Sequence, residues 1–293
     1  MLGGLTTSSG YLAAPVVVLA IGHSARDTYE VLHRRGVAIV PKPFQIGVRI
    51  EQPQEQVNRF QYGHTRLEEK LGAADYSVVA RGETNVFSFC MCAGGYIMPS
   101  VSEPGFFSTN GMSLSKRNSP YANSGLMITL EPEQFGSSHV LSGMNLQRVY
   151  EKRAFEAGRG EYACPIQWAG DFLAQKKTTD TPPSSYPRSL APGDIAELVP
   201  PVIAQALREA LPSIDRRWRG RFLPQATLVA PEARGSAPVR FLRDDATLES
   251  PSARGLYPIG EGAGYAGGIV SAALDGLRAA KAIIRRFAAL EPR

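Results

Sequence analysis

The residues best suited to chemistry lie near the C-terminus, where glycines are concentrated between an apolar run and a long helical pattern. Gly262, Gly264 and Gly267 follow the spacing G-x-G-x-x-G. Glycines let the backbone approach a ligand closely, and the start of the following helix offers free N–H groups with partial positive charge. An electron-rich ligand edge is therefore expected there, and the Glu261 carboxylate suits hydroxyl groups that donate hydrogen bonds. A polyol chain attached to an electron-poor ring meets both demands.

This spacing by itself does not establish a dinucleotide site. A dinucleotide fingerprint needs a second strand that ends in an acidic residue about 20 positions later, whereas the helical pattern after Gly268 continues almost to the end of the chain. The alternative is a close-packed strand-to-helix turn in which the glycines only permit contact between helix and sheet.

Two thiols form a second candidate site. Cys90 and Cys92 lie in a strand-like run, and residues i and i+2 of an extended strand share one face. Both thiols could therefore face one cavity and exchange electrons with a bound group, but from the residues alone two small buried side chains at a strand end are the favoured interpretation. Cys164 and four scattered histidines add no second ligand pair at the usual spacing, so no metal is expected.

Further candidates are basic. Arg234 and Arg240 could bind an anionic substrate or a cofactor phosphate, or form ion pairs at the protein surface. His23 could act as a general base, but a hydrogen-bonded turn histidine is the favoured interpretation. A cluster of four arginines at positions 216, 217, 219 and 221 surrounds Trp218 and could track phosphates. A solvated helix face is favoured over nucleic-acid binding, because no nucleic-acid fold signature accompanies the cluster.

The elements that position these residues form two β-α steps. Residues 16–21 and 255–259 are apolar runs typical of buried parallel strands. The first precedes a helix to about residue 35, and the second precedes a helix to about residue 289 with apolar residues at 269, 273, 277, 280, 284 and 287. Between the two steps, short strand-like runs over residues 44–128 predict a mostly antiparallel sheet. Helices are predicted over 141–157 and 195–211, separated by a Thr, Pro and Ser-rich segment at 178–192.

Composition supports an ordinary globular protein. The 293 residues are 43% hydrophobic and 20% charged, with a formal net charge of +5. No apolar run reaches the roughly 20 residues of a membrane span, and no basic residues precede an apolar stretch at the N-terminus as in a secretory signal. A cytoplasmic protein without membrane or nucleic-acid partners is therefore expected.

The glycine-rich segment also resembles a known motif. The run Gly-Leu-Tyr-Pro-Ile-Gly-Glu-Gly-Ala-Gly-Tyr-Ala-Gly-Gly-Ile at 255–269 is similar to the last flavin-binding motif of the FAD-dependent family of NAD(FAD)-utilising dehydrogenases. Segments 18–28, 88–95, 102–113 and 236–240 resemble other parts of that family in the same order, although Ala93 stands where the family pattern has proline.

The resemblance implies FAD as cofactor and a nicotinamide, NAD(P)H, as the candidate electron donor. It places Glu261 against the ribityl hydroxyls, the start of the last helix against the pyrimidine edge of the flavin, and Cys90 and Cys92 near the flavin. The cofactor-binding residues that it implies are Gly22, His23, Ser24, Gly260, Glu261, Gly262, Gly264, Tyr265, Ala266, Gly267, Gly268 and Ile269.

The predicted fold is α/β. A split, incomplete Rossmann-like FAD-binding domain is expected at residues 1–45 and 226–293, with an inserted α+β substrate or cap domain at 46–225. The N-terminal βαβ unit that binds the adenosine diphosphate half of FAD in the family is expected to be missing and to be required as a partner segment. The predicted function is hydride transfer between a small-molecule substrate and flavin. The alternative is a non-catalytic fragment that binds flavin or docks a partner.

Overall fold

The computed structural model describes residues 2–63 and 67–287. Its strands are β1 (Gly4–Thr7), β2 (Gly10–Ala13), β3 (Val17–Leu19), β4 (Ile39–Pro41), β5 (Phe44–Pro53), β6 (Val79–Ala80), β7 (Val86–Cys92), β8 (Gly95–Pro99), β9 (Thr109–Ser113), β10 (Tyr121–Leu130), β11 (Cys164–Trp168), β12 (Leu190–Pro192), β13 (Thr227–Glu232), β14 (Val239–Phe241) and β15 (Leu256–Pro258). Its helices are α1 (Arg26–Arg34), α2 (Gln54–Tyr62), α3 (Glu68–Leu71), α4 (Ser142–Ala157), α5 (Ala169–Leu173), α6 (Pro201–Arg217) and α7 (Ile269–Phe287), with 3-10 helices at Pro132–Phe135 and Ile195–Leu198.

The chain forms two compact units, each built from discontinuous segments. The first unit takes the described residues up to 44, residues 130–146 and those from 236 onwards, and the second takes residues 45–129 and 147–235. The domain boundaries expected at residues 45 and 225 stay predictions.

A seven-stranded mixed sheet forms the second unit, in the order β12-β11-β13-β5-β10-β7-β6. β11 pairs in parallel with β12, whereas the pairs β11–β13, β13–β5, β10–β7 and β7–β6 are antiparallel. The predicted linker at 178–192 is ordered and ends in β12. α6 buries Ile203, Leu207 and Leu211 at helical spacing on one side.

The first unit holds the two predicted β-α steps. β3 and β15 pair in parallel, with Val17 opposite Leu256, and β4 pairs with β14 in an antiparallel ladder. A buried cluster that includes Tyr29, Phe241 and Ala263 fills the space beside these strands. This arrangement places the ends of β3 and β15 at one edge.

Three predicted elements differ in detail. The strand expected to be buried at 16–21 is shorter, and Val18 is 46% exposed, so the face of β3 that carries Val18 is not covered. Among the described residues, β3 pairs with β15 alone. The helix predicted over 195–211 is divided, since prolines at 200 and 201 end the 3-10 helix and begin α6. The last helix is α7, and residues 288 and 289 of its predicted range lie outside the described residues.

The apolar stripe of α7 lies on its solvent side. Ile269, Leu277 and Ile284 are 92%, 59% and 64% exposed, whereas Asp275 and Ala279 on the other side are buried. Helical spacing predicts that these apolar residues share one side of the helix, but it does not predict which side of the helix packs against the protein. None of the helices within residues 2–63 and 67–287 combines the length and the apolar character needed to cross a membrane.

Candidate functional site

Two turns meet at the carboxyl ends of the parallel strands β3 and β15. Gly22 follows β3 with φ +67°, and Gly260 follows β15 with φ +74°. The turns pack so closely that a Cβ on Gly262 would overlap the carbonyl group of Gly22. Ligands of open α/β sheets bind at such strand ends. The structure thus brings together two segments that the sequence analysis assigned to one site.

The side-chain hydroxyl group of Tyr29 in α1 bridges the two turns. Its hydroxyl donates a hydrogen bond to the Gly262 carbonyl at 2.7 Å and lies 3.3 Å from the Gly22 carbonyl. Burial, followed by the charge of Glu261, raises the pKa of Tyr29 far above its usual value, so the hydroxyl stays a donor. No local sequence signal indicates that Tyr29 belongs to the site.

His23 and Glu261 form a pair across the two turns. His23 Nδ1 lies 2.8 Å from Glu261 Oε1, and the His23 side chain is 9% exposed against 31% for Glu261. His23 Nε2 is buried without a hydrogen-bond partner in the part of the chain that the structure describes. A buried polar atom of this kind is costly unless a ligand or water completes its bonding.

Asp275 of α7 fixes the glycine-rich turn. Its carboxylate accepts a hydrogen bond from the Gly260 amide at 2.8 Å and binds Arg243 through two contacts of 2.9 and 2.6 Å. Burial opposes ionisation, but Arg243 and the Gly260 amide hold the pKa of Asp275 below its usual value. In the sequence, Asp275 is marked only as a single carboxylate within the apolar pattern of the last helix.

The other side of the turn is basic. Arg243 lies 3.6 Å from the centre of the Tyr265 ring, whose hydroxyl donates to the Phe241 carbonyl at 2.8 Å. Arg240 is exposed and lies 5.1 Å from the same ring. Burial and then the charge of Arg240 lower the pKa of Lys42, which donates to the backbone of residues 43 and 237. The ring and the hydroxyl group of Tyr265 are therefore both occupied by contacts within the protein. Cationic side chains flank the turn.

The start of α7 is open to solvent. A Cβ on Gly267 or Gly268 would meet nothing within 4 Å, and Ile269 is 92% exposed. The Ser271 hydroxyl accepts the N–H groups of both glycines, at 3.2 and 3.1 Å. The next N–H groups, which begin with that of Ile269, have no carbonyl four residues earlier within the helix and face outward. Of the other predicted site residues, Ser24 is exposed and Ala266 is half-buried.

The thiol pair lies in the second unit. Cys90 has φ +45° and is exposed, whereas Cys92 is buried. The expectation that both thiols share one regular strand face is wrong, because Cys90 is not in an extended conformation. Their predicted position near a flavin stays a prediction.

Two further hypotheses acquire structural context. Arg234 binds Glu151 at 3.0 Å and Ser102 at 2.6 Å, so its guanidinium has a structural role, and substrate binding by Arg234 and Arg240 stays a prediction. Trp218 is 4% exposed and stacks on Phe60 at 3.9 Å, so its ring cannot serve as an exposed platform for a nucleobase. Over the described ranges, no group of three His, Cys, Asp or Glu residues could hold a metal ion.

Comparison with known proteins adds two findings. A family model described as "FAD-dependent protein, C-terminal domain-like" matches residues 43–235, roughly two thirds of the chain. An "Uncharacterized protein" of Clostridium beijerinckii (strain ATCC 51743 / NCIMB 8052) is 43% identical over 291 residues, which cover 98% of this chain and 54% of the relative. The chain therefore spans about half the length of this curated relative.

Proposed function

This chain belongs to the family of FAD-dependent proteins with that C-terminal domain, and from this premise we propose that it is part of a flavin-dependent oxidoreductase. The proposed reaction is hydride transfer between a small-molecule substrate and FAD. The family match concerns FAD alone, so NAD(P)H as the electron donor stays a prediction. The proposed architecture is a Rossmann-like FAD-binding domain in the first unit, with the second unit inserted as a substrate or cap domain.

One observation carries the proposal. The two turns at the ends of β3 and β15 leave a buried polar atom, His23 Nε2, beside a carboxylate and without a hydrogen-bond partner among the described residues. The same turns lead to the open start of α7, where a side chain is missing at Gly267 and Gly268. These features fit a ligand that combines hydroxyl groups with an electron-poor ring, as flavin nucleotides do.

His23 and Glu261 would hold the ribityl chain. In the neutral tautomer with its proton on Nδ1, His23 donates to Glu261, and its Nε2 would accept a hydrogen bond from a ligand hydroxyl group. Glu261 Oε2 has no hydrogen-bond partner among the residues that the structure describes, and it can accept a second hydroxyl. Cys90, Cys92, Arg234 and Arg240 are not assigned to this step.

The start of α7 would hold the flavin ring. Bound FAD supplies an acceptor for hydride, and negative charge collects on the pyrimidine side of the reduced ring. The N–H group of Ile269, at the positive end of a 19-residue helix, would stabilise that charge, while Ser271 holds the N–H groups of Gly267 and Gly268. Asp275 and Arg243 keep the turn in place through the Gly260 amide.

A docking role is the second candidate, and the exposed face of α7 favours it. Ile269, Val270, Leu274, Leu277, Ile284 and Phe287 are between 52% and 92% exposed. A contiguous apolar stripe of this length is typical of an interaction surface. We propose that its occupant is a further polypeptide segment that binds the adenosine diphosphate half of FAD. The relative, of which this chain covers 54%, has enough additional length for such a segment.

Titration with FMN tests the cofactor site, because FMN carries the ribityl chain and the ring without adenosine. Glu261→Gln should weaken FMN binding roughly tenfold or more, since a hydrogen bond to a charged group contributes about 1.5–3 kcal/mol. Glu133→Gln, an exposed carboxylate of the same unit, is the matched control and should leave the dissociation constant unchanged. Equal affinities for all three proteins would remove Glu261 from the site.

A further inference from the structure

The thiol pair of β7 lies where this strand leaves its regular pairing with β10. Cys92 is opposite Asn123 and Phe89 is opposite Gly125. Two residues of β7, Cys90 and Met91, therefore face the single Ser124, which is a β-bulge. Bulges of this kind redirect side chains and are frequent next to active sites.

Cys90 occupies the strained position of the bulge. Its φ of +45° lies in the left-handed region that favours glycine. A cysteine in this region has a strained backbone conformation. In this conformation Cys90 is exposed, while Cys92 is buried with its Sγ 3.4 Å from the Cys90 carbonyl oxygen. The pair thus combines one accessible thiol with one protected thiol two residues away.

A buried guanidinium lies behind the pair. Arg49 of β5 donates from Nη1 to the Cys90 carbonyl at 3.1 Å and to the Asn123 amide oxygen at 2.9 Å. Glu232 of β13 fixes Arg49 through contacts of 2.6 and 2.7 Å, and both side chains are almost fully buried. Arg49 and Glu232 are the charged groups that act on the two thiols.

These surroundings separate the two thiols in acidity. A hydrogen bond from Cys92, followed by the charge and N–H groups of Arg49, lowers the pKa of Cys90 from 9.0 to about 6. The same hydrogen bond and burial raise the pKa of Cys92. The lowered pKa of Cys90 favours its thiolate form, and the raised pKa of Cys92 favours its protonated form.

We propose that Cys90 is the nucleophile and Cys92 the resolving thiol of a dithiol centre that reduces an external disulfide. The exposed bulge position, the protected neighbour and the buried cation together carry this assignment. It concerns residues of the second unit alone and does not depend on flavin.

The reaction balances in two steps. The Cys90 thiolate attacks one sulfur of the external disulfide, so a mixed disulfide forms and one thiolate leaves. Cys92 then attacks Cys90 Sγ, closes the Cys90–Cys92 disulfide and expels the second thiolate, which accepts the proton that Cys92 loses. Two electrons pass from the dithiol to the substrate, which becomes one thiolate and one thiol, and the thiolate that left in the first step takes any further proton from solvent.

The pH dependence gives the sharpest signature. At pH 6, about half of a thiol with a pKa near 6 is ionised, whereas about one part in a thousand of a thiol with a pKa of 9.0 is ionised. The lower basicity reduces intrinsic reactivity roughly 20-fold over three units. Cys90 should therefore react roughly 20-fold faster than an ordinary exposed thiol at pH 6, but only about fourfold faster at pH 7.

The test is stopped-flow reaction of the full chain with the disulfide DTNB between pH 5 and 10, followed by mass spectrometry. The natural sequence should release two thionitrobenzoate anions per chain and end as an intramolecular disulfide. Cys92→Ser should release one anion, retain a stable adduct on Cys90, and show a reactivity midpoint at higher pH. Cys90→Ser should lose the fast phase entirely.

Cys164→Ser is the matched control, because Cys164 is fully buried and the chain has three cysteines in all. It should behave as the natural sequence does, and circular dichroism should show that each variant is folded. A fast phase that survives in Cys90→Ser, two separate adducts in place of a disulfide, or a midpoint near pH 9 would each overturn the proposal.

Discussion

Replacing Glu232 by glutamine should destabilise the second unit more than any replacement at an exposed ion pair. Glu232 is 4% exposed and binds Arg49, whose side chain is fully buried, through two short contacts. The carboxylate attracts the guanidinium and raises the pKa of Arg49 even though burial opposes its charge. Glu232→Gln keeps the shape of the side chain but leaves a buried positive charge without its counterion.

The magnitude follows from what remains around Arg49. Removing one partner of a buried ion pair costs about 3–5 kcal/mol. The hydrogen bonds to the Cys90 carbonyl and to Asn123 persist, and the glutamine oxygen can still accept one bond. We therefore expect the lower end of this range, about 3 kcal/mol. Glu55→Gln breaks an exposed pair with Arg59, in which both side chains are more than 60% exposed, and should cost about 0.5 kcal/mol or less.

Urea unfolding monitored by tryptophan fluorescence measures both variants, because Trp168 and Trp218 belong to the second unit. A double variant, Arg49→Met with Glu232→Leu, removes both charges and should recover most of the loss. Equal unfolding free energies for Glu232→Gln and Glu55→Gln would refute this account of the buried pair. So would a double variant less stable than Glu232→Gln.

Three other perturbations have defined outcomes. Gly111→Ala places a Cβ against the Arg49 guanidinium, so the second unit should lose about 1–3 kcal/mol in urea unfolding. The pKa of Asp275 is lowered in the folded state, so its carboxylate stabilises the fold above its unfolded pKa, and this contribution is lost as the pH falls through its folded pKa. Asp275→Asn should therefore reduce the loss of thermal stability between neutral and acidic pH. Leu277→Gln on the exposed stripe of α7 should leave the unfolding free energy within about 0.5 kcal/mol, as measured by the same urea titration.

The turns of the first unit were predictable because their signals are local. An apolar run followed by glycine marks the end of each strand, and the glycines at 260–268 mark the start of α7. A common location of the two turns was expected from the resemblance alone, which assigns both of them to the cofactor. The pair of His23 with Glu261 joins residues 238 positions apart, and only the register of β3 against β15 decides it.

The thiol site was predictable in composition but not in shape. Spacing alone gave an extended strand with two thiols on one face, whereas the bulge depends on how β7 and β10 pair around Ser124. Arg49 and Glu232 lie 183 positions apart, so nothing local indicated that they would meet behind Cys90. Long-range register therefore decides the parts of both sites that sequence patterns could not supply.

The central claim is that the two turns and the start of α7 form a flavin site, and amide NMR of the labelled chain during FMN titration tests it most directly. The account predicts that saturating FMN shifts the backbone amide signals of Gly22, Glu261, Gly267, Gly268 and Ile269, while those of the second unit around Glu55 stay in place. Saturating FMN that leaves these five amides unchanged, or that shifts only amides elsewhere, would contradict the claim.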